Sequence, residues 1–363
     1  MCIRDSFCTG QKPARQDIRI LDAGCGTGSG TDYLIHLNPE AEVVAVDISQ
    51  KAIAVAEERC QRSGVVAKHK KPIAFQQMRL EDAAELPGEF DLINCVGVLH
   101  HMPDPVKGIQ ALAKKLAPGG LFHIFVYAEF GRAEISLMQK AIAIIQGDQR
   151  GDYVDGVKVG RDIFANLPEG NQVLKHSERW KYENHKDEAF ADMYVHPQEV
   201  DYNVETLFEL VDASGLEFVG FSNPQLWDLE RLIGKSEEWM TRAKSLSDRD
   251  FYRLVELLDP TANHHEFFLT KPPLPKVDWS VDEQLLAAIP ERYPYMQGYP
   301  SLNFFNYDYQ MVRISEAELA FMQACDRNQE AGLTVAEILK DCPLELVEVR
   351  SLQTRQLIML SRA

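Results

Sequence analysis

The stretch Asp22-Ala23-Gly24-Cys25-Gly26-Thr27-Gly28 sets three glycines at alternate positions directly behind an apolar run. Without a Cβ, glycine lets the main chain turn through left-handed conformations and come close to a ligand. A ligand is therefore expected to lie over this turn. Asp47 closes the next apolar run, 19 residues after Gly28. A carboxylate at that point can accept charge-assisted hydrogen bonds from both hydroxyls of a ribose, or alternatively cap the helix that follows. The two features together point to an adenosine-containing ligand. The dinucleotide fingerprint G-x-G-x-x-G would need glycine at position 29, where Ser29 stands, so the spacing disfavours a nicotinamide cofactor.

Other residues could work on an acceptor. His100 and His101 are adjacent, and an ordinary imidazole pKa near ~6.5 suits removal of a proton from an attacking hydroxyl or amine; a structural role is the alternative. Tyr127, Arg132 and His196 are candidates for the acceptor side, although Arg132 could instead pair with a carboxylate. His264-His265-Glu266 invites a metal reading. Neighbouring side chains on a strand point to opposite faces, so no metal is expected there. The seven cysteines are scattered, with no C-x-x-C pair, which fits reduced thiols in a cytoplasm rather than a disulfide frame or a zinc site.

These residues sit at the ends of elements legible from periodicity. Apolar, β-branched runs at 18–23, 42–47, 73–78, 90–96 and 121–127 read as strands. Helices fill the intervals, with Ser49 as a cap and Val106, Ile109, Leu112 and Leu116 forming one buried face. Pro118-Gly119-Gly120 reads as the turn into the fifth strand. Alternation of this kind predicts an α/β fold: a Rossmann-like, doubly wound and mostly parallel sheet covered on both faces. A helix closed by Gly215, a strand at 216–221 and another at 265–270 extend the domain to about residue 271. Insertions at about 130–200 and 224–262 are expected to form a two-part cap. Pro272-Pro273-Leu274-Pro275 reads as a stiff linker. The accessory unit at 276–363 becomes winged-helix-like from about residue 310, with helix-starting pairs at Ser315/Glu318 and Thr334/Glu337.

Four stretches, at 20–28, 43–49, 82–101 and 116–127, resemble in order and spacing those of the class I S-adenosylmethionine (SAM)-dependent methyltransferases. The similarity is greatest to the broad small-molecule group of type 11/12, where a Val-Leu-His-His segment follows the fourth strand, and the chain beyond residue 128 resembles a bacterial branch of it. The resemblance implies SAM as cofactor. It implies that Asp22 and the turn residues Gly24, Cys25, Gly26, Thr27 and Gly28 hold the methionine end. Asp47 with Ile48 would take the ribose side, Asp82 and the Ala83 amide the adenine, and Cys95 would lie beside the cofactor. Glu81 or Glu85 could replace Asp82 in that role. The expected reaction is methyl transfer to an O or N atom of a small-molecule acceptor. A protein or RNA methyltransferase and a non-catalytic SAM-binding regulator are the alternatives.

The formal net charge is -17, and the acidity is concentrated after residue 130, with 24 Lys/Arg against 39 Asp/Glu. Such a field repels a phosphate backbone, so DNA is not an expected partner. No apolar run approaches the roughly 20 residues that span a bilayer, and no signal-peptide core is legible, so no membrane partner and a cytoplasmic location are expected. The C-terminal unit is expected to serve packing or homodimerisation. Residues 1–6 read as the translated end of a sequencing adapter on a metagenomic fragment. With about 17 residues ahead of the first strand, a truncated N-terminus is expected.

Overall fold

The computed structural model describes residues 8–10, 17–181, 184–294, 296–306, 310–326 and 328–362; the segment read as adapter-derived lies outside them. Seven strands, β1 (Arg19–Ala23), β2 (Glu42–Asp47), β3 (Ile73–Gln77), β4 (Phe90–Val96), β5 (Leu116–Tyr127), β6 (Glu217–Phe221) and β7 (His264–Thr270), form one sheet. Their order is β3-β2-β1-β4-β5-β7-β6. The first five run parallel, and β7 lies antiparallel between β5 and β6. Central strands of this kind are buried on both faces, which is why β4 is apolar at every position but Asp91 and Asn94.

One boundary differs from the sequence reading. Pro118-Gly119-Gly120 does not end an element, because β5 begins at Leu116 and continues through it. Leu116 pairs with Phe90 and Leu121 with Leu92, so the surplus residues bulge from the ladder, with Gly119 at φ 74°. A bulge is the one place inside a sheet where proline costs no ladder bond.

Helix α1 (Ser29–Leu37) follows the glycine turn, and α2 (Gln50–Arg62) follows β2. The hydroxyl of Ser49 accepts from the Ala52 amide at 3.2 Å, as its position before the helix predicts. Helix α3 (Pro105–Ala113) buries Ile109 and Leu112 against the sheet. Each such side chain contributes about 1.5–3 kcal/mol by leaving water.

The first insertion builds a cap with its own core. Helices α4 (Ala133–Gln146), α5 (Tyr153–Asn166) and α6 (Asp187–Tyr194) enclose Ile135, Met138, Ile142, Val157, Trp180, Phe190 and Tyr194. The second insertion is not the other half of that cap. Its Trp227, Leu229, Ala243 and Val255 join the main core with Leu21, Leu207 and Phe267. Helix α7 (Val204–Ser214) and helix α8 (Asp248–Leu258) pack together, and Trp227 stacks on Phe221 of β6 at 3.8 Å. The apolar stripe of α8 has the sheet side to bury itself against, so it backs the sheet.

The C-terminal unit has a separate core that includes Trp279, Leu285, Phe304, Phe321, Val349 and Leu360. Both helix-starting pairs are made: the Ser315 and Thr334 hydroxyls accept from the amides of Glu318 and Glu337, whose carboxylates accept in return from the Ser315 and Thr334 amides. The last strand, Ile358–Arg362, pairs antiparallel with Ala288–Arg292. Among the described residues no helix is long and apolar enough to cross a membrane.

Candidate functional site at the carboxyl ends of the strands

The glycine turn leaves β1 and folds over the end of β2. A Cβ on Gly24 would stand 2.3 Å from a Val98 methyl, so the turn can nest against the loop after β4 only without one. Gly26, at φ 52°, has nothing within 4 Å of where a Cβ would stand, so bare main chain faces open space. The Gly26 amide donates to one oxygen of Asp47 at 2.9 Å, and the Ser49 amide donates to the other at 2.8 Å. Two amides thus fix the plane of the carboxylate, and each oxygen keeps a lone pair for a further donor. Beside it the Ile48 side chain is 64% exposed, and Val96 is exposed at the end of β4. Open backbone, an aimed half-buried carboxylate and bare apolar side chains fit an adenosine ligand: hydroxyls on Asp47, a flat base against Ile48 or Val96.

Asp22 does not face that space. It is buried beneath the turn, and its oxygens accept from Thr31 Oγ1 at 2.6 Å and Asn94 Nδ2 at 2.8 Å. Through these two contacts it braces the turn from beneath. The row continues through the sheet: His123 Nδ1 donates to Asn94 Oδ1 at 2.8 Å, His123 Nε2 lies 2.5 Å from Glu266, and Ser222 donates to Glu266 at 2.7 Å. Of these partners the sequence reading singled out only Glu266, and that as a metal candidate. The available signal was a polar residue, Asn94 in β4 and His123 in β5, inside a mostly apolar stretch of strand.

Cys95 also departs from expectation. It is sealed in the main core, where burial and then Asp22 push its thiol up, so its side chain does not reach the crevice. Cys25 is buried under the turn, with its thiol pushed to about 12 by burial, Asp22 and Asp47. Thr27 is exposed, and its carbonyl accepts from Arg59 Nε. Asp82 is exposed on the short helix Leu80–Glu85, beside Ala83, whose side chain belongs to the core. Glu81, the alternative to Asp82, is paired with Arg79 at 3.1 Å.

The five acceptor-side candidates converge. His100 and His101 form the first turn after β4, Tyr127 ends β5, Arg132 opens α4, and His196 follows α6. His100 stacks on Tyr127 at 4.0 Å, and His101 on His196 at 4.0 Å. The guanidinium of Arg132 lies 3.5 Å above the Tyr127 ring. A strap at 198–203 holds the group: Val200 donates to the His100 carbonyl at 2.8 Å, and Tyr202 to the Tyr127 carbonyl at 2.9 Å.

The two histidines are not equivalent. His100 is wholly buried, with neither ring nitrogen hydrogen-bonded, and burial followed by repulsion from His101 and Arg132 pushes it down to about 2. That corrects its reading as a base, since it has neither access nor basicity. His101 is half-buried, and its Nδ1 donates to the Gln198 carbonyl at 3.2 Å, which leaves the Nε2 lone pair available. Burial and His196 lower its pKa, so it is neutral at pH 7. Burial raises Tyr127, which stays a phenol.

Arg132 donates to Glu199 at 2.9 Å, with Asp201 3.6 Å away. These two carboxylates, absent from the sequence reading, line a cavity of about 660 Å³ together with His196, Tyr194 and Gln139. The His264-His265-Glu266 side chains are spent separately: His264 stacks on Phe125, His265 meets the Tyr202 carbonyl, and Glu266 meets His123.

A family model described as a methyltransferase domain matches residues 21–122. The chain is 56% identical over 356 residues to the uncharacterized protein syc1184_c of a Synechococcus strain, covering 98% of this chain and 84% of that protein. It is also similar to the ubiquinone biosynthesis O-methyltransferase of Methylococcus capsulatus, 34% identical over 103 residues, which span 28% of this chain and 40% of that enzyme. Among solved structures, PKMT2 from Rickettsia typhi superposes with a TM-score of 0.68 at 14% identity, over 99% of this chain and 74% of that one. The chain belongs to the class I SAM-dependent methyltransferases. It is an enzyme that uses SAM to methylate an acceptor.

Proposed function

We propose that the acceptor is a side chain of another protein, docked over the cap so that the reacting atom enters the cavity lined by His196, Glu199 and Asp201. The observation that carries this reading is the cap's surface. Leu137, Ile144 and Ile145 share one face of α4, Ile144 is 80% exposed while also lining the cavity, and Val154 on α5 is 83% exposed. Clustered bare aliphatic side chains mark surfaces that another macromolecule covers. The fold shared with PKMT2 includes the cap and the C-terminal unit, which supports the same reading.

When bound, SAM supplies a methyl group on a positively charged sulfur, already activated for displacement. The chain has three tasks. Asp47 and the open turn at Gly26 would hold the adenosine and fix its position. The cap and the strap at 198–203 exclude water and align the acceptor, and alignment can account for much of the rate. His101, oriented through Gln198, would take the acceptor's proton on Nε2. Its loss in His101→Ala is expected to lower kcat about 100-fold, with S-adenosylhomocysteine affinity unchanged; an unaltered kcat would make it structural.

The deciding experiment supplies methyl-labelled SAM and the enzyme to a cell extract separated into protein and small-molecule fractions. Label in the protein fraction, with KM raised several-fold by Ile144→Ser combined with Val154→Ser, is the expected result. Label confined to small molecules would overturn the reading and favour a free metabolite, which a cavity of this volume also fits.

A further inference from the structure

A second cavity, of about 1010 Å³, lies between the sheet and the C-terminal unit and shares no lining residue with the cavity under the cap. One wall is Tyr33 of α1 with Asn223 after β6 and Glu266 of β7; the other is Trp279, Gln353 and Gln356 of the C-terminal unit. Clefts between folded units are common places for small ligands.

One residue of that wall is held against its own backbone preference. Gln356 has φ 55°, and among the described residues it is the one non-glycine with a positive φ. It ends the helix Leu346–Thr354 in a left-handed turn closed by two bonds, from the Gln356 amide to the Gln353 carbonyl and from the Leu357 amide to the Leu352 carbonyl, both at 2.9 Å. Helices that stop this way do so mostly on glycine, because a Cβ is crowded there. A strained residue where glycine would serve points to a task for its side chain, and that of Gln356 is half-buried in the cleft.

The lining also defines what the cleft can take. Asn223, Gln353 and Gln356 bring half-buried carboxamides from both walls, and none of these is hydrogen-bonded to another described residue. Each offers a donor and an acceptor. The charged groups of the lining cancel. Arg350 is spent on Asp282 and on the Trp279 and Ser280 carbonyls, Glu266 on Ser222 and His123, and Lys276 and Asp278 are exposed with opposite signs. Burial lowers the pKa of His264, so it adds no charge at pH 7. Bare apolar surface remains at the ring of Tyr33, 47% exposed, and at Leu226, 46% exposed.

We propose that this cleft binds a neutral, flat heteroaromatic molecule with an amide edge. Its ring covers Tyr33 and Leu226, and the N–H and C=O of its edge pair with the carboxamides of Gln356 and Gln353. A carboxamide meets such an edge donor to acceptor and acceptor to donor, whereas a carboxylate or an ammonium would enter with no unspent opposite charge to meet it. The assignment does not depend on where the methyl acceptor docks.

The test uses the full chain saturated with S-adenosylhomocysteine, so that the cofactor crevice is filled. Its two probes are carbostyril, a bicyclic lactam, and N-methylcarbostyril, which keeps the ring and the carbonyl but loses the N–H. Calorimetric titration is expected to show carbostyril binding at least tenfold more tightly. Gln356→Gly supplies the second readout. It should raise the midpoint of thermal unfolding, because glycine takes the left-handed turn without strain, while weakening carbostyril at least fivefold and leaving S-adenosylhomocysteine affinity unchanged. A purely structural Gln356 would not give that split between stability and binding. Equal affinity for the two probes, no binding of either, or carbostyril affinity that survives Gln356→Gly overturns the site. A lowered midpoint overturns it too, since the side chain would then be holding the fold.

Discussion

Replacing Arg132 with methionine is expected to destabilise the chain by about 3–5 kcal/mol in denaturant unfolding, among the largest effects open to one substitution outside the main core. The guanidinium serves Glu199, Asp201 and the Tyr127 ring at once. Without it, two buried carboxylates face each other with no cation between them. Adding Glu199→Gln to the same chain should recover part of the loss by removing one of the stranded charges. A midpoint for Arg132→Met within about 0.5 kcal/mol of the parent would mean that water already reaches those carboxylates.

The second large effect concerns the cofactor. Asp47→Ala should weaken S-adenosylhomocysteine binding about 100-fold in a calorimetric titration, with NADH as the control ligand. A hydrogen bond to a charged group contributes about 1.5–3 kcal/mol, and a ribose offers two hydroxyls. The substitution also frees the Gly26 and Ser49 amides that the carboxylate now holds, so the turn loosens as its ligand contact disappears. Affinity unchanged within a factor of three would remove Asp47 from the ribose site.

The strands, the glycine turn and the aspartate after β2 were legible because each is written locally: β-branched runs, a spacing of glycines, a carboxylate at a run's end. The convergence of His100, His101, Tyr127, Arg132 and His196 was only half legible. The residue types were visible, but the strap that brings His196 beside His101 depends on how 196–203 crosses the sheet edge, which no periodicity records. Glu199 and Asp201 escaped notice because carboxylates are common in this acidic chain, and only burial distinguishes these two. The division of labour between the histidines was hidden for the same reason. Adjacent in sequence, they differ in whether a carbonyl at Gln198 is within reach. The second insertion was misjudged as cap because an amphipathic helix announces that it has an apolar face, but not which surface receives it.

The polar row beneath the turn also acts on assembly of the sheet. Aliphatic strands that are buried on both faces would pack almost as well after sliding by two residues, since a shift of two returns every side chain to the same face. Asp22, Asn94 and His123 face one another across β1, β4 and β5 at a single level. A slide of two residues between β1 and β4 would set the Asp22 carboxylate against Leu92 or Val96 and part it from the Asn94 amide that now donates to it. Like teeth on a key, these three side chains admit one alignment of the strands, the alignment in which the ends of β1, β4 and β5 meet where a methyl group changes hands.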